Sequence, residues 1–169
     1  MNRFCTRCAA VLPGQPPVTC AACGYETYLN ARPTASVVIL DGERFLALRR
    51  AREPQVGKWD LPGGFCDGWE HPADAAVREA REELGVRVEL TDFVGIYIGE
   101  YEFQGELLPV LDCFWVASIV EGELAIDPAE AAGYDWLPLA APPAMAFATM
   151  DRALRDLAAG DLAGRFGPS

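Results

Sequence analysis

The stretch Gly63-Gly64-Phe65-Cys66-Asp67-Gly68-Trp69-Glu70-His71-Pro72-Ala73-Asp74-Ala75-Ala76-Val77-Arg78-Glu79-Ala80-Arg81-Glu82-Glu83-Leu84-Gly85-Val86 decides the fold. Its second half predicts a helix over 72–84. Pro72 suits the first turn, where a missing N–H costs nothing. Asp74 favours the positive end of the helix dipole. Ala73, Ala76, Val77, Ala80 and Leu84 recur at steps of three and four and form one apolar face. Gly85 ends the helix. His71, the only histidine, stands where the helix begins and reads as a cap.

The other face is acidic. Glu79, Glu82 and Glu83 occupy positions i, i+3 and i+4, which puts their side chains on one side of the helix. Carboxylates so close repel each other. The spacing suits a hard divalent cation that takes several carboxylate oxygens. A solvated face balanced by Arg78 and Arg81 is the structural alternative. The preceding loop, Trp59-Asp60-Leu61-Pro62-Gly63-Gly64, ends in two glycines that let a ligand approach the main chain, so its carbonyls are candidate metal ligands.

Working outward, Thr34–Leu40 is a continuous β-rich run, as expected of a strand buried on both faces. Asp41-Gly42 is a turn signal, and Phe45–Leu48 returns as the second strand of a hairpin. Further strands are expected at 87–102, broken at Gly95 and Gly99, at 107–119 and at 134–137. A second amphipathic helix is expected over 143–159. The last ten residues read as frayed. No internal repeat is evident.

Residues 1–33 stand apart. Cys5, Cys8, Cys20 and Cys23 form two Cys-x-x-Cys pairs, with Pro13, Pro16 and Pro17 between them. Two such pairs close a tetrahedral Cys₄ zinc site in which no coordination position is open, so the metal is structural. Zinc would supply the folding energy a segment this short lacks. Redox pairs and disulfides are the alternatives, and no thioredoxin-like pattern surrounds them. Residues 28–33 read as a connector. Cys66 and Cys113 read as reduced thiols.

The chain has 169 residues and a net charge of −11. Residues 1–33 carry three arginines and one glutamate, +2, and the remainder sums to −13. An acidic body argues against a nucleic-acid partner. No apolar run is long enough for a membrane helix, and the first residues lack the apolar core of a secretion signal. A cytoplasmic protein is expected. A homodimer stays open.

Gly64, Glu70, Arg78-Glu79, Ala80, Glu82-Glu83, Gly85 and Val86 together resemble the Nudix box, G-x5-E-x7-R-E-U-x-E-E-x-G-U, where U is a bulky apolar residue. Every fixed position is met, and the departure is the small Ala80 at the first U. The resemblance extends over nearly all of 34–159. It implies an α/β fold, an α/β/α sandwich with a mixed sheet, over 34–160. A zinc ribbon precedes it over 1–33, and a tail follows over 161–169. It implies Mg²⁺ or Mn²⁺ held by Glu79, Glu82, Glu83 and the carbonyl of Gly63. Glu79 would orient or deprotonate the attacking water. Gly64, Glu70, Arg78 and Gly85 match structural positions of the box, with Glu70 and Arg78 as the pair that ties loop to helix. Members often supply a further acid from a late loop that leads to a tryptophan, and Glu130, before Trp136, fits that place.

The implied activity is hydrolysis of a diphosphate linkage in a nucleoside diphosphate joined to another moiety. The alternative class is a ligand sensor, or a binding protein acting through its zinc ribbon. Phe4-Cys5 and the exit through Tyr28, Asn30, Arg32 and Pro33 resemble the ribbon of NADH pyrophosphatase-like members. Their downstream marker S-Q-P-W-P-F-P-x-S is absent, so NAD(H) cleavage is not implied. Arg44, Arg49, Arg50, Arg52 and Lys58 cluster before the catalytic loop. Arg49 and Arg50 are candidates to meet phosphates, and balancing the acidic body is their alternative role. Tyr101 lies 15 residues after the box, near a tyrosine position associated with dinucleoside polyphosphate hydrolases.

Overall fold

A computed structural model describes residues 3–162. The N-terminal unit holds a two-stranded antiparallel ladder, β1 (Val18–Thr19) with β2 (Glu26–Thr27). Its two cysteine pairs adopt the same backbone form. Ala9 and Gly24, each following a second cysteine, take left-handed φ values of 59° and 72°. Each returns its N–H to the carbonyl of the pair's first cysteine at 2.9 Å. Cys5 and Cys20 in turn donate to Ala10 and Tyr25 at 2.8 Å. The unit is thus a local repeat, carried by backbone geometry rather than residue identity. Cys5, Leu12 and Cys20 form its small buried cluster.

The main sheet contains β3 (Arg32–Asp41), β4 (Arg44–Arg50), β5 (Trp59–Asp60), β6 (Gly63–Phe65), β7 (Arg87–Phe103), β8 (Glu106–Glu121) and β9 (Ala131–Pro138). The order is β5-β4-β3-β8-β7, with β6 on β3 and β9 on β4. The β3–β8 pair is parallel and the others antiparallel, so the sheet is mixed. Arg32 and Pro33, expected in the connector, open the first strand of this sheet.

Alternate residues of β3 serve opposite layers, as the period of two requires. Ala35, Val37 and Ile39 pack with Ala75, Ala76, Ala80 and Leu84 of α1 (Pro72–Leu84). Val38 instead joins Phe45, Ala47 and Phe114 beneath Met150, Ala153 and Leu154 of α2 (Ala148–Ala159). The α/β/α sandwich follows from this division. Ala80, the departure within the box, is fully buried, where a small side chain lets helix and sheet approach closely. Ala75, rather than Ala73, completes the buried face of α1.

Two boundaries differ from the sequence reading. The second helix starts at Ala148, not near Pro143, because the preceding segment is tied to β5. Ala146 donates to the Trp59 carbonyl at 2.7 Å, and the Asp151 carboxylate accepts the Met145 N–H at 2.9 Å. Strand β7 is not broken at its glycines. Gly95 follows a register shift against β8, and Gly99 pairs with Val110 in register. The expected fraying of the last ten residues falls mostly outside the described residues, which end at 162. No described helix is long and apolar enough to cross a membrane.

Candidate active site

Helix α1 is set at both ends. The Nδ1 of His71 accepts the Ala73 N–H at 3.1 Å, as its expected capping role requires. Gly85 closes the other end with a left-handed φ of 69°. Loop and helix are joined by Arg78. Its guanidinium grips Glu70 at 2.9 Å through both Nε and Nη2, a bidentate pair, and Nη2 also donates to the Phe65 carbonyl at 3.1 Å. The Asp67 N–H donates to Glu70 as well, at 3.0 Å. These bonds, Arg78 first and Asp67 second, hold the Glu70 carboxyl down to about 2. Arg78 also bonds Glu79 at 2.8 Å and Glu82 at 3.0 Å through Nη1.

Each glycine of the loop leaves room for a defined neighbour. A Cβ at Gly63 would lie 2.3 Å from the Ala35 carbonyl oxygen and 2.4 Å from the Ser36 hydroxyl. Its φ of 154° also falls where side chains are disfavoured. A Cβ at Gly64 would lie 2.5 Å from Oε1 of Glu79. Gly63 therefore lets the loop join β3, and Gly64 lets the Glu79 carboxylate lie against the loop backbone.

Glu79, Glu83 and Glu130 line one cavity of about 320 Å³, with Gly63, Gly64, Asp60, Arg50 and Arg52. Glu83 is only 9% exposed. Burial, above all, pushes its carboxyl up to about 8; the Gly63 N–H opposes this, while Asp60, Glu79 and Glu130 add to it. Burial also raises Glu79, against the pull of Arg78. Asp60 is raised by burial despite its bond to Arg50. Glu130 reaches the cavity because its loop is fastened at several points. Asp127 donates to the Glu83 carbonyl at 2.9 Å, Ala51 donates to the Glu130 carbonyl at 2.9 Å, and Arg52 pairs with the Glu130 carboxylate at 2.6 Å.

Two candidates sit elsewhere. Glu82 does not line the cavity; its side chain is 58% exposed and bonded to Arg78. Arg49 does not line it either. Its guanidinium lies 3.8 Å over the Trp59 ring and donates to the Gly57 carbonyl at 2.6 Å. This follows from strand alternation, which sends Arg50 to the opposite side and into the cavity wall. Tyr101 does line the cavity and packs edge-on to Phe65 at 5.3 Å.

Several lining residues were not found by sequence reasoning: Thr34, Asp60, Asp112 and Phe147. Asp60 was within reach, being an acid inside the glycine loop. Asp112 lies in an apolar strand run, where a lone carboxylate is itself a signal of a special environment.

The four N-terminal cysteines converge, with all their sulfurs within 4.8 Å of one another. The Cys5–Cys23 and Cys8–Cys20 sulfurs are 3.7 Å apart. That is far beyond a disulfide bond and close to the edge of a tetrahedron with zinc–sulfur bonds of about 2.3 Å. The cluster is compatible with a small zinc ribbon. Cys66 and Cys113 are free thiols.

A family model of the NUDIX domain matches residues 30–157. The chain belongs to the Nudix family. It is 30% identical over 162 residues to the NAD-capped RNA hydrolase NudC of Pseudomonas aeruginosa, a match that covers 92% of this chain and 55% of that protein. It is 41% identical over 69 residues to a MutT-like protein of Streptomyces ambofaciens, covering 41% of this chain and 43% of that one. The chain thus spans about half the length of these curated relatives. A Nudix hydrolase from Nitrosomonas europaea superposes with a TM-score of 0.72 at 21% identity, covering 95% of both chains.

Proposed function

We propose that this chain is a divalent-cation-dependent hydrolase that cleaves the diphosphate linkage of a nucleoside diphosphate joined to another moiety. The observation that carries this is the convergence of Glu79, Glu83 and Glu130 on one cavity whose wall also holds Arg50 and Arg52. Glu83 is raised first by its burial and further by the neighbouring Asp60, Glu79 and Glu130. A hard cation with oxygen ligands removes that penalty, so the donor set fits Mg²⁺ or Mn²⁺. Glu79 and Glu83 would hold it with the Gly63 carbonyl and Glu130, and the exposed Glu82 would take part only through water. When bound, the cation neutralises phosphate oxygens and lowers the pKa of a coordinated water.

The chain's own residues do the rest. Arg52, itself exposed, offers donors to the substrate phosphates. Arg50 braces the wall through Asp60. Glu79, fixed by Arg78 and Gly64, is placed to accept the proton of the attacking water. No covalent intermediate is needed. The name of the Pseudomonas relative points to a nucleotide diphosphate of this general kind, while the missing S-Q-P-W-P-F-P-x-S marker keeps its particular substrate from being carried over. The sensing alternative does not require three glutamates inside the cavity.

For the N-terminal unit we propose one structural zinc held by Cys5, Cys8, Cys20 and Cys23, which fits a reducing, cytoplasmic setting. The division we propose sets a ribbon ahead of Arg32, where β3 begins, and a catalytic unit from there to about residue 160.

The test is a hydrolysis panel with Mg²⁺ or Mn²⁺, run beside Glu83→Gln. It would contain ADP-ribose, NADH, dinucleoside polyphosphates, nucleotide sugars, (d)NTPs and 5′-triphosphate RNA. Metal-dependent cleavage lost in the variant supports the reading. Silence across the panel from folded, zinc-loaded protein counts against it.

A further inference from the structure

The cavity has a second end that the hydrolytic reading leaves unused. Its floor is the sheet, where Thr34 of β3 pairs in register with Asp112 of β8. The Thr34 hydroxyl donates to Oδ1 of Asp112. Asp112 is 9% exposed and lines the cavity, and its Oδ2 makes no hydrogen bond among the described residues. On the β7 flank that oxygen lies beside Gly99, where an added Cβ would meet Thr149 Cγ2 at 2.6 Å and come within 3.3 Å of the oxygen. That oxygen is accessible from the cavity and free to accept from a ligand that brings a donor.

The chemistry of this end is one-sided. An ionised carboxylate only accepts, and the Thr34 proton is already committed to it, so this pair presents acceptors only. Beside it, Tyr101 and Phe147 lie in ring contact, 5.4 Å between centroids and tilted by 34°. Both line the cavity, as does Met150. A flat group carrying adjacent N–H donors on one edge matches the combination. The two ends share one strand. Thr34 is two residues, about 6.6 Å of strand, from Ser36, and Ser36 is paired with Gly63 at the carboxylate end.

We propose that Thr34, Asp112, Tyr101 and Phe147 form a base-reading subsite for a guanine-type edge. The Asp112 carboxylate accepts the ring N–H and the adjacent exocyclic amino group, and the aromatic pair lies against the ring. Guanine offers two neighbouring donors. Adenine and cytosine put a ring acceptor beside their amino group, and uracil flanks its ring N–H with carbonyls, so each sets an acceptor against the carboxylate. The substrate class named in this way is a guanine nucleoside diphosphate derivative. The inference rests on the reading of this cavity as a nucleotide-diphosphate site.

Calorimetric binding of GMP, IMP and UMP to the whole 169-residue chain tests it, because IMP differs from GMP only in lacking the amino group. GMP is expected to bind roughly 10- to 100-fold more tightly than UMP, the worth of one good bidentate contact, and about tenfold more tightly than IMP, which keeps the ring N–H and loses one bond. Asp112→Asn, the same shape with a donor where the carboxylate had an acceptor, is expected to bring the three within about threefold. Thr34→Val serves as a second variant, expected to weaken GMP selectively. Equal affinities in the wild type, preference that survives Asp112→Asn, or no binding of any of the three overturns the proposal. The two readings fail separately. A GMP preference lost in Asp112→Asn without hydrolysis of any diphosphate leaves the subsite standing and removes the hydrolase. Equal cleavage of GDP-, ADP- and UDP-linked sugars removes the subsite and leaves the hydrolase.

Discussion

The carboxylate of Glu83 accepts the backbone N–H of Gly63 at 3.0 Å. This bond spans loop and helix and holds one lone pair of a buried acid, while the rest of the carboxylate faces Glu79, Glu130 and the cavity. The loop and the acidic face are therefore one assembly. Glu83→Gln keeps the shape and removes the charge. It is expected to lower turnover roughly 100-fold or more and to weaken Mn²⁺ binding, with little change in fold. Steady-state rates, Mn²⁺ titration and circular dichroism check this together, and wild-type-like rates would remove Glu83 from the metal site.

The two loop glycines are expected to fail in different ways. Alanine at Gly63 would meet main-chain atoms of β3, including the Ala35 carbonyl oxygen at 2.3 Å. Backbone cannot swing aside, so Gly63→Ala is expected to destabilise the fold by about 2–4 kcal/mol. Alanine at Gly64 would meet the end of the Glu79 side chain, which can move. Gly64→Ala is expected to change the melting temperature little and to lower kcat at least about tenfold by displacing Glu79. A melting curve and a rate for each variant separate the two effects.

Much of this site was legible because its information is local. The helix over 72–84, its glycine cap and the histidine at its start all depend on neighbours within one turn. The Cys₄ cluster was legible for the same reason, through spacing. What escaped the sequence depends on distant pairing. Asp112 becomes a cavity residue only because β8 runs parallel to β3, 78 residues away in sequence from Thr34. Glu82 and Arg49 illustrate the converse. Helical spacing places Glu82 with its neighbours, but Arg78 draws it outward. Strand alternation turns Arg49 onto Trp59 while Arg50 faces the cavity. The start of α2 was misplaced because Pro143 offered a helix-start signal, while the segment after it bonds to β5.

The Glu70–Arg78 pair makes a prediction about pH. Glu70 is held down to about 2 from an ordinary 4.5, first by Arg78 and then by the Asp67 N–H. A lowered carboxyl stabilises the folded state above its unfolded pKa, and that contribution is lost as pH falls from about 4.5 toward 2. Glu70→Gln should therefore melt below the wild type at pH 7, and the gap should narrow as pH drops through that window. Melting curves of both proteins from pH 7 to pH 2.5 test this. A gap that stays constant would show that the pair does not hold loop to helix through charge.

The N-terminal unit supplies the last test, and it is one of stability rather than rate. Its buried cluster consists of two cysteines and one leucine, too little apolar surface to hold some thirty residues together. If the sulfurs within 4.8 Å of one another ligate zinc, metal binding is the folding energy of this unit. Elemental analysis should find one zinc per chain in protein purified without chelator. Cys20→Ser, which removes a buried ligand, should abolish that zinc and expose the unit to limited proteolysis before Arg32, where β3 begins. The acidic cavity lies in the other unit, so Mg²⁺-dependent hydrolysis should survive in the cleaved product. Zinc retained in Cys20→Ser, or resistance to proteolysis after zinc is lost, would mean that packing rather than metal holds this unit.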